Sequence, residues 1–179
     1  MLFPKRKEVR QMQQKKQRLF VDMDGTLAEF PTDRSYFEKG FFNSLKPHKK
    51  LVAKINSMRT DENVDVFLIT TCPQERLNPY AGAEKTAWAE RYLPGVKIIL
   101  LSYGEEKPQG VLKYTGNRVS ERDVLLDDYS VNLHGWVKAG GRAIKALNNK
   151  NGTKGTWPGM RVNVFEPERL NELLKSLGK

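Results

Sequence analysis

Cysteine and histidine are almost missing from the 179 residues: Cys72 stands alone, and His48 and His134 are the two histidines. A lone thiol excludes an intramolecular disulfide, and three scattered residues lack the spacing of a zinc site, so neither device supports the fold. Long apolar runs are lacking as well, none approaching the ~20 residues that span a bilayer. The N-terminus is basic and glutamine-rich where an export signal would carry an apolar segment. A reducing, cytoplasmic setting without a membrane partner is the expectation.

Acidic residues are outnumbered, 21 Asp and Glu against 31 Lys and Arg, for a net charge of +10. The excess is uneven: residues 1 to 18 hold seven basic residues against Glu8 alone. The body of the chain is therefore only mildly basic, and residues 1–17 read as a basic N-terminal extension. A solvated tail is the plainer reading of that extension, and contact with nucleic acid or another anionic surface is the other. With 39% apolar and 29% charged residues, the chain as a whole has the balance of an ordinary folded protein, and its length suits one domain, residues 18–179.

Short apolar runs recur along that domain. RLFVDMD (Arg18 to Asp24), VDVFLIT (Val64 to Thr70), VKIILLS (Val96 to Ser102), RDVLLDD (Arg122 to Asp128) and RAIKAL (Arg142 to Leu147) read as five buried strands. Between them lie helical patterns: Leu51, Val52, Ile55 and Met58 behind Pro47, then Ala83, Ala87 and Trp88, then Val131 to Val137. Leu170, Leu173, Leu174 and Leu177 form a last stripe, begun at Pro167 and stopped by Gly178. Alternation of this kind predicts an α/β fold with a mostly parallel five-stranded sheet covered on both faces. NNKNGTKGTWPG (Asn148 to Gly159) reads as a surface loop before a possible edge strand, Arg161 to Phe165.

Ligands of such sheets bind beyond the carboxyl ends of the strands, where the order of the strands reverses. Polar residues at four of those ends are therefore candidates for one site. Asp22 and Asp24, in DMDGT, put two carboxylates close together after a buried strand, a repulsion that a divalent cation relieves; alone, the string would be a charged turn. Asp127 and Asp128 close the fourth strand and could complete a metal site, or form an Asx-type turn. Thr70 and Thr71 offer hydroxyls to a phosphate oxygen, although either alone is an ordinary strand end. Lys107, in YGEEKPQG, can neutralise nucleophile and phosphate, although a single lysine in a charged loop is usually just solvated. Together these supply the nucleophile, proton donor and positive charge that hydrolysis of a phosphate ester requires.

LFVDMDGT, a threonine ending the second strand, a lysine after the third and LLDD at the fourth resemble, in order, the four motifs of haloacid dehalogenase (HAD) phosphatases. More narrowly, FVDMDGTLAEF, TTCP, YGEEK, LLDDYSVNLHGWVKAGGRAIKALN and GTW are similar to the bacterial branch of the 5′(3′)-deoxyribonucleotidases, over roughly residues 18–160. The resemblance implies a Rossmannoid three-layer α/β/α sandwich with a small helical cap, residues 27–63, and a Mg²⁺-dependent phosphomonoesterase. It implies that Asp22 attacks phosphorus to form an aspartyl-phosphate and that Asp24 protonates the leaving oxygen and then activates water. Mg²⁺ would be held by Asp22, the Asp24 carbonyl and Asp127, with Asp128 as auxiliary. Thr70, or Thr71 if the alignment runs through Pro73, would bind phosphate, and Lys107 would balance charge.

The resemblance points to (deoxy)nucleoside monophosphates as substrates. Sugar phosphates or the phosphate ends of nucleic acids are the enzymatic alternative, and a nucleic-acid-binding module without activity is the third. Phe30, Tyr36, Phe37, Phe41 and Phe42, within the cap, could stack on a nucleobase or form the cap's own core. Tyr129, Asn132 and Trp136 are expected to anchor the helix after the acid pair, and His134 has no evident partner there.

Overall fold

The computed structural model describes residues 16–151 and 157–178. Most of the basic N-terminal extension, residues 1–15, lies outside the described residues. Six strands form one sheet: β1 (Gln17–Val21), β2 (Val64–Thr71), β3 (Lys97–Leu101), β4 (Asp123–Asp127), β5 (Arg142–Leu147) and β6 (Met160–Asn163), in the order β3-β2-β1-β4-β5-β6. Every pairing is parallel. The expected five-stranded sheet is thus corrected to six. The sixth strand has four residues of which only Val162 is buried, so it carries almost no apolar pattern of its own. It is held instead by register with β5, Ile144 facing Met160 through Leu147 facing Asn163.

Five helices cover the sheet: α1 (Lys49–Met58), α2 (Ala81–Tyr92), α3 (Lys107–Thr115), α4 (Ser130–Lys138) and α5 (Leu170–Leu177). Alternation along the strands divides the core in two. Leu19, Val21, Leu68, Val124, Leu126 and Ile144 pack with Leu51 and Ile55 of α1, Trp88 of α2 and Leu170 and Leu174 of α5. Phe20, Phe67, Ile69, Leu125 and Ala143 pack on the other face with Val111 of α3 and Leu133 and Trp136 of α4. The result is the three-layer α/β/α arrangement.

The central strands are fixed to each other beyond their ladder. Arg18 and Asp123 are register partners on β1 and β4, and the guanidinium meets the carboxylate twice, Nε to Oδ1 at 2.5 Å and Nη2 to Oδ2 at 2.7 Å. This two-pronged pair sits in a half-buried setting where such geometry is strongest. It sets the relative height of β1 and β4, and hence of the acids that follow each.

Helix α1 packs into the core, and a loop leaves the sheet between β1 and α1. Its base is the antiparallel bridge between Ala28 and Pro47, backed by the Glu29 N–H donating to the Lys46 carbonyl at 2.8 Å. Between these points the cap loop contains a single 3-10 turn, Phe42–Ser44. Helix α2 grips that loop from one face. Glu84 accepts from the N–H groups of Gly40 and Phe42, Trp88 Nε1 donates to the Leu45 carbonyl at 2.8 Å, and Arg91 donates to the Asn43 carbonyl at 3.1 Å. Residues 84, 88 and 91 lie on one helical stripe, so one helix face carries the whole attachment.

Candidate active site

The chain runs outward from β1 through β2 to β3, then returns to place β4 on the other side of β1. That reversal opens a crevice at the carboxyl ends of β1 and β4, the usual position for a ligand in such a sheet. Asp22 follows β1, and Asp127 and Asp128 lie at the end of β4. Each of the three offers a carboxylate oxygen, and these oxygens all lie within 4.8 Å of one another. All three residues are buried.

Lys107 opens α3 and reaches into this cluster. Its ammonium donates to Asp22 Oδ1 at 2.5 Å, to Asp127 Oδ2 at 2.8 Å and to the Ile69 carbonyl at 3.1 Å. Burial alone would lower the lysine's pKa, but the attraction of Asp127 and Asp22 outweighs it and holds the group above its usual value. Asp22 is raised well above the usual aspartate value, first by burial, with Lys107 opposing and Asp127, Asp128 and Asp24 adding to the rise. Asp128 is raised to about 6 by burial and by Asp127. One ammonium, in contact with Asp22 and Asp127, thus serves a cluster of three buried carboxylates, and burial first, then the charge of their neighbours, makes Asp22 and Asp128 hard to ionise. A divalent cation fits the deficit, and an all-oxygen donor set suits a hard ion such as Mg²⁺.

Asp24 is turned away from that cluster. Its Oδ2 accepts from Lys85 Nζ and lies 3.5 Å from the Thr70 hydroxyl, while Oδ1 is buried without a hydrogen-bond partner among the described residues. Thr70 is fully buried, and its Oγ1 accepts from Lys85 at 2.8 Å. Strand alternation sends the neighbouring Thr71 side chain to the opposite face. Thr71 meets the group through its carbonyl, which accepts from Lys85 at 2.9 Å.

Gly25 and Thr26 bind the two acidic ends together. Gly25 has φ +84°, and a Cβ there would overlap the Asp128 carboxylate, so only glycine allows this approach. Asn148, just past β5, donates to the Gly25 carbonyl at 2.7 Å and to Asp128 Oδ2 at 2.9 Å, and Asn151 donates to the same carboxylate. Asn148 Oδ1 in turn accepts from the N–H groups of Lys150 and Asn151 at 2.9 Å. Asp127 is steadied by the Tyr129 N–H at 2.7 Å and by Asn132 Nδ2 at 2.9 Å. Asn132 therefore touches the acid pair besides belonging to α4, while Trp136 is the expected anchor, buried with Nε1 donating to the Asp123 carbonyl at 3.0 Å. His134 does have a neighbour, the Trp157 ring, with centroids 5.3 Å apart.

The cap aromatics divide. Phe41 and Phe42 are buried in the same core that α1, α2 and α5 form with the sheet, and Phe30 packs edge-on to Phe41 at 5.4 Å. Tyr36 and Phe37 are about two-fifths exposed, with ring centroids 4.2 Å apart.

Two side chains of this region escaped the sequence reading. Lys85 lies in AEKTA, where a helical lysine looks like any solvated one, and Asn148 lies in a stretch whose composition signals only a loop. The doubled asparagine and the position just beyond a strand end were the available hints for Asn148.

No family model matches the chain, and no curated protein matches it. Solved structures do share its fold. The D,D-heptose 1,7-bisphosphate phosphatase of Burkholderia thailandensis aligns with TM-score 0.57 at 13% identity, over 88% of this chain and 99% of that one. A haloacid dehalogenase-like family hydrolase of Xanthomonas campestris aligns with TM-score 0.55 at 15% identity, over 92% and 96%. A chain of the Pnkp1/Rnl/Hen1 complex aligns with TM-score 0.52 at 14% identity, over 73% and 46%. At these identities the likeness is one of fold alone.

Proposed function

We propose that this chain is a Mg²⁺-dependent phosphomonoesterase that works through an aspartyl-phosphate on Asp22, with (deoxy)nucleoside monophosphates as its substrate class. The observation that carries the proposal is the convergence of Asp22, Asp127, Asp128 and Lys107 within one buried cluster at the switch point of the sheet. Asp22, Asp127 and Asp128, with the Asp24 carbonyl, are the groups that would hold the ion. Bound there, it supplies positive charge to the phosphoryl oxygens and lets Asp22 stay ionised.

The residues then divide the work. An Asp22 carboxylate oxygen forms a bond to phosphorus while the ester P–O bond breaks, and its electron pair leaves on the alcohol oxygen. Asp24 gives that oxygen a proton. Water then attacks the aspartyl-phosphate, passes a proton to Asp24, and inorganic phosphate departs, returning both carboxyl groups to their starting state. Lys107 neutralises charge at Asp22 throughout, and the Thr70 hydroxyl contributes to phosphate binding, in preference to Thr71, whose side chain faces away. The exposed Tyr36 and Phe37 rings offer the π-faces on which a base can stack, which supports nucleotides within the class.

The test is hydrolysis of a generic aryl phosphate with Mg²⁺, followed by a panel of nucleoside monophosphates and sugar phosphates. Turnover lost in Asp22→Asn and on chelation is expected, with nucleotides preferred. Normal turnover in Asp22→Asn would overturn the mechanism; preference for sugar phosphates would overturn the substrate class alone.

A further inference from the structure

Lys85 is completely buried and comes from α2 rather than from a strand end, yet its ammonium reaches the ends of β1 and β2. A buried ammonium is costly unless each of its three hydrogens finds an acceptor. Here each does: Asp24 Oδ2, the Thr70 hydroxyl and the Thr71 carbonyl. The remaining side is closed by Phe42 of the cap loop, with Nζ 4.3 Å from the ring centroid. No hydrogen is left for a phosphate, so Lys85 is not a substrate-binding cation. It acts through Asp24.

The carboxylate it holds is unevenly occupied. Oδ2 is engaged by Lys85 beside Thr70, whereas Oδ1 has no partner among the described residues although it is buried. We infer that Lys85 is a positioning residue that, by holding Oδ2, fixes the place and orientation of the Asp24 carboxyl group that exchanges protons with substrate. The inference deepens the phosphatase reading and rests on it. In the first half-reaction the Asp24 proton goes to the leaving oxygen as the ester P–O bond breaks. In the second, Asp24 takes the proton of the attacking water as the Asp22–phosphate bond breaks. The neighbouring Glu84 holds the backbone of Gly40 and Phe42, so α2 places the lysine and its aromatic cover together.

Esters differ in how much they need that proton: an alkyl phosphate leaves poorly without it, and a nitrophenyl phosphate leaves readily. The experiment is a leaving-group series, from alkyl to nitrophenyl phosphates, on wild type, Lys85→Met, Asp24→Asn and the double variant. Wild-type turnover with an inactive Asp22→Asn checks the underlying reading by itself. Against that background, Lys85→Met is expected to lose roughly 100-fold or more in kcat/KM on alkyl phosphates, the usual contribution of general acid catalysis, and about fivefold or less on nitrophenyl phosphates. Adding Lys85→Met to Asp24→Asn should then change alkyl turnover little, because both act on one proton transfer. A loss equal on all esters, or losses that multiply in the double variant, would overturn the positioning role. Should Lys85→Met fail to fold, Lys85→Gln, which keeps an amide donor, gives the same series, with the same leaving-group trend supporting the role and a uniform loss refuting it.

Discussion

Thr26 and Asp128 are joined twice across the crevice. The Asp128 N–H donates to the Thr26 hydroxyl at 3.1 Å, and that hydroxyl donates onward to the Asp128 carboxylate at 3.3 Å. One small side chain thereby ties the turn after β1 to the acid pair after β4. Both groups are buried, so water cannot replace either bond. Thr26→Val, nearly the same in shape, should cost about 1–3 kcal/mol, because it leaves a buried N–H unsatisfied. Thr26→Ser should retain most of that stability and the activity, and urea denaturation of the two variants beside turnover checks both.

Gly25→Ala should impair activity more than folding. The strain of a non-glycine residue at φ +84° is on the order of 1–3 kcal/mol, which a domain can bear. The added methyl also displaces the Asp128 carboxylate, which the site cannot bear. A folded variant with near-wild-type circular dichroism, and aryl phosphatase activity reduced at least about tenfold, is the expected result.

Lys107→Met should be severely destabilising in the absence of divalent ions. It removes the one ammonium among three buried carboxylates, a loss of about 3–5 kcal/mol by analogy with broken buried ion pairs. Mg²⁺ should raise the thermal midpoint of this variant more than that of wild type, since the ion then supplies the missing positive charge. Differential scanning calorimetry with and without Mg²⁺ reads the difference.

His48 confers a pH dependence on stability that is separate from catalysis. Burial holds its imidazole below the usual 6.5, with Glu29 opposing and Lys150 reinforcing. The unfolded chain therefore takes up a proton before the folded one does. Stability is present above 6.5 and is lost as the pH falls from there through the lower folded value. His48→Asn keeps a side chain suited to the start of α1 and cannot titrate, so its thermal midpoint should fall less than that of wild type between neutral pH and about pH 5.

The parts of the site that could be read in the sequence are those written into local pattern. Asp22, Asp24, Thr70, Asp127 and Asp128 each follow an apolar run, and a parallel sheet forces such positions to one rim. Lys107 could be placed only by its order among the other motifs, because locally it looks like a solvated lysine in a charged loop; it in fact opens α3. Lys85 could not, because its burial comes from packing against Phe42 and Thr70, which lie 43 and 15 residues away. The split among the cap aromatics has the same origin: Phe41 and Tyr36 are alike in sequence, and the grip of α2 on residues 40 to 45 decides which is buried. The sixth strand was legible only as a possible edge strand, Arg161 to Phe165, and was left out of the sheet because its pairing is set by β5 rather than by a strong pattern of its own. Helix α1 read clearly as a helix, yet whether it belonged to cap or core depended on Leu51 and Ile55 meeting the sheet.

Mass spectrometry of acid-quenched turnover most directly tests the role of Asp22. With Mg²⁺ and an aryl phosphate present, the peptide containing Asp22 should carry one phosphoryl group, labile to hydroxylamine and missing from Asp22→Asn. Steady turnover with that peptide unmodified, or with the phosphoryl group on another residue, would contradict the mechanism.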